Sequence, residues 1–164
     1  MKKNVENDIK NKKAQNVFLI VLGFLAIGAI GGGIVLICSP TGEMIGLPLS
    51  EFRNIPFSSF LIPGIILFFV LGVIPLLLIR ALLKKPESKI AERFNIFKDM
   101  HWLWTYSIYI AFSLIGWIQI QLIFLQGAVH WLQTFYIFYA IIIIIVALLP
   151  QIRYLYKKKS YNSL

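Results

Sequence analysis

The chain has 164 residues, 59% of them hydrophobic and 14% charged, and its sixteen lysines and arginines against seven acidic residues give a formal charge of +9. Soluble domains average about 45–50% apolar and about 25% charged residues, so this composition excludes a water-soluble globule, which could not hide that much apolar surface. The one cysteine, Cys38, excludes an intramolecular disulfide and a Cys-x-x-Cys redox or zinc pair.

Four runs are long and apolar enough to cross a bilayer as helices, the one open-chain structure that satisfies its own backbone groups in hydrocarbon. The basic residues cluster in short segments flanking these runs, which reads as orientation signal and lipid headgroup contact rather than nucleic-acid binding. The expected fold is all-α: a four-transmembrane-helix bundle forming a single membrane domain, residues 1–164.

A basic tail, 1–16, precedes the first span at 17–38. That run exceeds the usual core of about 7–15 residues in a cleaved signal, and no convincing small-residue cleavage site follows, so it reads as an uncleaved span. Gly28 and Gly32 form a G-x-x-x-G pair on it, repeated one position on by Ala29 and Gly33. Small residues let helix backbones approach in a bilayer, and this face is expected to pack against another helix, in the same chain or in a homo-oligomer.

The segment 39–60 carries Pro40, Gly42, Gly46, Pro48 and Pro56 among Leu47, Leu49, Phe52, Ile55 and Phe57. Turn residues between apolar ones predict a compact loop packed on the helix ends. The second span, 61–83, has Ser58 or Ser59 as its expected cap and Pro63 near its first turn. Pro75 lies well inside the run, where its ring clashes with the carbonyl four residues back, and predicts a kink over Leu71 to Pro75.

In the connection 84–101, Ile90, Phe94 and Phe97 recur at helical spacing among charged residues, predicting a short amphipathic helix on the membrane surface that starts near Pro86, Glu87 and Ser88. The third span, 102–125, opens on Trp102, Trp104, Tyr106 and Tyr109, and a turn, 126–130, leads to the fourth span, 131–149, before a basic tail, 150–164. Fifteen of the sixteen basic residues fall in the two tails and the middle connection or its flank, leaving Arg53 alone in 39–60. The positive-inside rule then makes both termini and the middle connection cytoplasmic and 39–60 an outer loop.

Polar residues gather toward the outer ends of the last two spans. Gln119, Gln126 and Gln133 are seven apart, with Gln121 and His130 nearby. An amide at the depth of Gln119 is expensive without a partner, so it is expected to face the bundle as interhelical glue, or to join Glu43, Glu51, Arg53, Gln126 and His130 in an outward-facing pocket for a headgroup or small solute. No H-x-x-x-H spacing, nucleophile elbow or Walker loop is present, and neither a catalytic residue, a metal nor a cofactor is expected.

The stretches PTGEMIGLP and PFSSFLIPGIILFFVLG, followed by the tryptophan-opened third span, resemble those of uncharacterised small bacterial four-helix integral membrane proteins. The resemblance spans Gly31 to Pro150 and implies the architecture, with the outer loop as a defining element, but no activity. The expected role is that of a non-enzymatic component of the bacterial inner membrane contacting lipid or a protein partner. The alternative is a membrane-embedded enzyme or carrier working through Glu51, Arg53, Gln119 and His130.

Overall fold

The computed structural model describes residues 2–46, 49, 58–124 and 130–158. The protein is all-helical, 83% helix, and no strands occur among the described residues. Helix α1 spans Lys2–Cys38, so the basic tail and the first apolar run form one continuous helix. The second run is built of α2, Leu61–Ile66, a π-helical stretch, Leu67–Val73, and α3, Ile74–Lys84. A short α4, Lys89–Arg93, precedes α5, Trp102–Phe124. Helix α6, His130–Leu148, is followed by α7, Pro150–Tyr156.

Four stretches are long and apolar enough to cross a membrane: Val5–Cys38, Leu61–Lys84, Trp102–Ile123 and Trp131–Leu148. Their outward surface is apolar, with Ile20, Ile27, Phe112, Ile123, Phe138 and Ile145 all exposed, as suits helices surrounded by lipid tails rather than water. Inside, Phe18, Leu22 and Leu25 of α1 join Leu71, Leu78 and Leu82 of the second run, Leu103, Ala111 and Leu114 of α5, and Ala140 and Ile143 of α6 in one core.

The tightest seam joins α1 to the second run. A Cβ added at Gly33 would stand 2.9 Å from the Phe68 backbone, one at Gly64 would stand 3.0 Å from the Ile37 nitrogen, and one at Gly72 would stand 2.7 Å from the Ile30 side chain. Glycines on both partners thus let the two backbones touch, which in a bilayer replaces the missing hydrophobic drive with close van der Waals contact. The π-helical stretch makes this possible. In a regular α-helix, positions eight apart such as Gly64 and Gly72 lie about 80° out of line, and the wider turn advances less per residue, swinging Gly72 back onto the face of Gly64. The irregularity expected at Pro75 therefore occupies the seven residues preceding Ile74, whose N–H bonds the Phe69 carbonyl five residues back.

Gly28 lies where α1 meets α6, where an added Cβ would stand 2.8 Å from the Tyr136 hydroxyl oxygen, and a Cβ added at Gly32 would stand 3.3 Å from the Leu67 side chain. The Tyr139 hydroxyl donates to the Val21 carbonyl at 2.7 Å, one more α1–α6 link.

A second break, between α6 and α7, is repaired by side chains. Leu149 turns out of the helix (φ −54°, ψ 137°) and Pro150 has no N–H for the Val146 carbonyl, which takes the Leu149 N–H instead at 3.2 Å. The Ala147 carbonyl is filled by the Trp104 indole N–H at 2.7 Å. Such a carbonyl buried without a donor would cost about 1–3 kcal/mol.

Pro40 and Phe60 hold the ends of the 39–60 segment together, the Phe60 N–H reaching the Pro40 carbonyl at 2.8 Å. The N-cap of the second run is Phe60, which makes no side-chain capping bond, and Ser59 just before it accepts the Leu61 N–H on its Oγ at 3.1 Å. Residues 47, 48 and 50–57, which include Phe52, Ile55 and Phe57, lie outside the described residues.

Replacing Gly33 with Ala should lower the thermal midpoint in detergent by the equivalent of about 1–3 kcal/mol, because the Phe68 backbone cannot yield. Replacing Gly31 with Ala, which meets nothing within 4 Å, should leave the midpoint unchanged or raise it. Circular dichroism melts of the two variants check the pair. Trp104→Phe should destabilise by about 1–3 kcal/mol in the same assay by stranding the Ala147 carbonyl.

Candidate functional site

Four segments far apart in sequence meet at one end of the bundle, and polar side chains join them. The backbone N–H of His101 donates to the Tyr156 carbonyl at 2.7 Å, the Lys158 N–H to the Asp99 carbonyl at 2.9 Å, and Met100 faces Lys157 in an isolated antiparallel bridge. The buried Tyr156 hydroxyl donates to the Leu82 carbonyl at 3.1 Å and accepts from the Gln15 amide at 3.1 Å, tying α7 to α3 and α1. Lys85 donates to the Leu155 carbonyl at 2.9 Å and sits 4.8 Å from the centre of the Tyr156 ring. Burial pushes the Tyr156 phenol above its ordinary value despite the Gln15 bond.

The connection between α3 and α5 owes its shape to Asn95 and Glu92. Asn95 is buried; its amide donates to the Met100 carbonyl at 2.8 Å and to Glu92 at 3.1 Å, while its oxygen accepts from the Thr105 hydroxyl and the Phe97 N–H. An asparagine with four partners holds a turn that no regular element supports. This is why the expected amphipathic helix is cut short: Ser88 caps α4 by accepting the Ala91 N–H at 3.3 Å, but the helix ends at Arg93, leaving Phe94 and Phe97 beyond it in the Asn95 turn. Ile90, Phe94 and Ile96 remain exposed, at 77%, 65% and 71%, among Lys89, Arg93 and Lys98.

Glu92 and His101 together cap α5. The Trp102 N–H donates to Glu92 Oε1 at 3.1 Å and the Leu103 N–H to His101 Nδ1 at 3.3 Å. A carboxylate and a ring nitrogen at a helix N-terminus satisfy orphan donors and match the positive end of the dipole. Lys158 closes on Glu92 Oε2 at 2.7 Å, a half-exposed ion pair worth at most about 1 kcal/mol. Burial opposes ionisation of Glu92, but the hydrogen bonds from Lys158, Asn95 and Trp102 outweigh it and hold the carboxyl below its ordinary value of 4.5. His101 is pushed below its ordinary 6.5, by burial first and by Lys158 and Lys85 against the pull of Glu92. Its ring is therefore neutral at pH 7, and with Nδ1 accepting, the ring proton is on Nε2.

These residues border an open cleft of about 310 Å³, lined by Glu87, Ser88, Lys89, Glu92, His101, Trp102 and Lys158. The Trp102 indole is held as one wall by its N–H bond to the Pro86 carbonyl at 3.1 Å. Sequence reasoning placed the candidate pocket at the opposite end and missed this cleft. The helical spacing of Ile90, Phe94 and Phe97 drew attention to an amphipathic face, whereas the signal was Asn95, a turn former in the middle of that pattern.

The outer candidates come out differently. Gln119 is exposed on the α5 surface and is not turned into the bundle. Glu51, Arg53 and Gln126 lie outside the described residues, as does the His130 side chain; Glu43 is exposed in a short 3-10 turn. The buried amide is Gln133, 2% exposed, with neither its nitrogen nor its oxygen hydrogen-bonded among the described residues. Among the described residues no group of three or more His, Cys, Asp or Glu side chains is placed to hold a metal ion. No family model, curated protein or solved structure matches the chain.

Because the Glu92 carboxyl is depressed in the folded state, its contribution is complete above about pH 4.5 and is lost as pH falls through the lower folded value. Wild type should lose stability on acidification below that point more steeply than Glu92→Gln, as acid titrations followed by circular dichroism would show. Gln133→Met should raise stability by about 1–3 kcal/mol, since it removes an unpaired amide while keeping the volume.

Proposed function

We propose that the protein is an integral component of the cell membrane, with four spans and both termini and the middle connection in the cytoplasm. It acts without catalysis, by binding lipid or a protein partner at its basic rim. The observation that supports this most directly is the hydrogen-bonded joining of the 84–101 connection to the C-terminal segment, which gathers Lys84, Lys85, Lys89, Arg93, Lys98, Arg153, Lys157 and Lys158 toward one end of the bundle. Cations concentrated at one end are retained on the cytoplasmic side during insertion and attract the anionic inner leaflet at about 1 kcal/mol each. Exposed Ile90, Phe94 and Ile96 between those cations suit insertion among headgroups.

Single cysteines at Ser50, Asp99 and Ser160 in a Cys38→Ser background test the orientation. An impermeant maleimide applied to intact cells should label position 50 alone, and permeabilisation should expose 99 and 160; labelling of 99 or 160 from outside would overturn the reading. In nanodiscs, anionic lipid should raise the thermal midpoint relative to a zwitterionic bilayer, and salt should remove the difference.

A further inference from the structure

We propose that the cleft at the start of α5 is a headgroup site for a phosphate monoanion carrying a primary ammonium group, the chemistry of an ethanolamine phospholipid. The inference rests on the reading of the basic end as a lipid-contacting rim and goes beyond it, because the rim as a whole is cationic and the cleft is not. Its charged walls are Lys89 and Lys158 on one side of the ledger and Glu87 and Glu92 on the other, with His101 uncharged at neutral pH. Lys158 and Glu92 are occupied with each other at 2.7 Å. Among the described residues, Lys89 and Glu87, both exposed, are left as one free charge of each sign on either side of Ser88.

A bare anion in this cleft would meet Glu87, and a bare cation would meet Lys89, so neither gains much net attraction. A zwitterion pairs with both. Donors for the phosphate oxygens are the Lys89 ammonium, the Ser88 hydroxyl, whose oxygen already accepts the Ala91 N–H, and the Nε2–H of His101, whose Nδ1 is committed to the Leu103 N–H. The acceptor for the ammonium is the Glu87 carboxylate, and because that interaction is a hydrogen bond as well as an ion pair, a primary ammonium is preferred to a quaternary one.

Depth argues for a lipid. Trp102 is both a wall of the cleft and the first residue of an apolar span, so the cleft opens at the level where headgroups lie. The volume of about 310 Å³ suits a headgroup, leaving the acyl chains to run down the exposed apolar surface of the bundle.

The test is native mass spectrometry of the full chain released from mixed micelles holding equal amounts of ethanolamine, choline and glycerol phospholipids with identical acyl chains. Wild type should retain one ethanolamine lipid over the choline lipid by roughly tenfold, the loss expected for one charge-assisted hydrogen bond. Glu87→Gln should reduce retention of the ethanolamine lipid to that of the choline lipid without reducing the glycerol lipid, and Lys89→Gln should reduce all three. Both side chains are exposed and make no hydrogen bond among the described residues, and unchanged circular dichroism melts would establish that the variants fold. Free phosphoethanolamine at millimolar concentration should not displace the lipid; displacement would assign the site to a soluble zwitterion. Equal retention of all three lipids, preference for the glycerol lipid, or indifference to Glu87→Gln would overturn the proposal. Those outcomes leave the rim reading standing if the cysteine labelling and the anionic-lipid dependence hold, so the two fail separately.

Discussion

A backbone N–H or C=O in hydrocarbon must find a partner inside the protein, and the positions where this chain's helices break show how each stranded group is supplied. Before Pro75 the adjustment is geometric: the preceding helix widens into a π-helical stretch and the Ile74 N–H bonds the Phe69 carbonyl five residues back. At Pro150 the answer is a side chain, with the Trp104 indole reaching from α5 to the Ala147 carbonyl. At the start of α5 it is a carboxylate and an imidazole, Glu92 and His101. The Trp104 and Glu92 bonds also join separate elements, so satisfying the backbone and assembling the bundle go together there.

The bundle consequently has two kinds of cohesion. Within the spans it is steric, concentrated where Gly33, Gly64 and Gly72 let α1 and the second run touch, and a single methyl group is enough to disturb it. At the basic end it is polar, and the ranking of its parts follows from burial. The Glu92–Lys158 pair is half-exposed and weak, whereas Asn95 and Tyr156 are buried and fully partnered, so the buried neutral groups hold the end together and the ion pair trims it. Gln133 shows the converse, a buried amide without a hydrogen-bond partner among the described residues.

The spans were legible because their signal is bulk composition over some twenty residues, which tertiary context rarely overrides. The Gly28 and Gly32 spacing, with its repeat at Ala29 and Gly33, pointed to a packing face, and the closest backbone approach is at Gly33; the π-helical stretch opposite it is what no local pattern encodes. The middle connection misled for a related reason. Its apolar spacing predicts a helix through Phe97, and Asn95, reaching Met100, Glu92 and Thr105, diverts the chain into a turn. Gln119 read as an inward amide from depth alone, yet a helix has a surface as well as a depth, and the seven-residue spacing did not reveal that Gln133 is buried and Gln119 exposed.

The central claim is that the middle connection and the C-terminal segment form one rim. The most direct measurement is oxidation of a Met100→Cys, Lys157→Cys, Cys38→Ser triple variant carrying a protease site between residues 125 and 129. Cβ atoms of residues directly opposite in an antiparallel pair lie about 4.5–5.5 Å apart, close enough for a disulfide after small adjustment. The two proteolytic fragments should remain joined on a non-reducing gel and part on reduction. Fragments that separate without reductant, after oxidation of the intact protein in its membrane, would contradict the account.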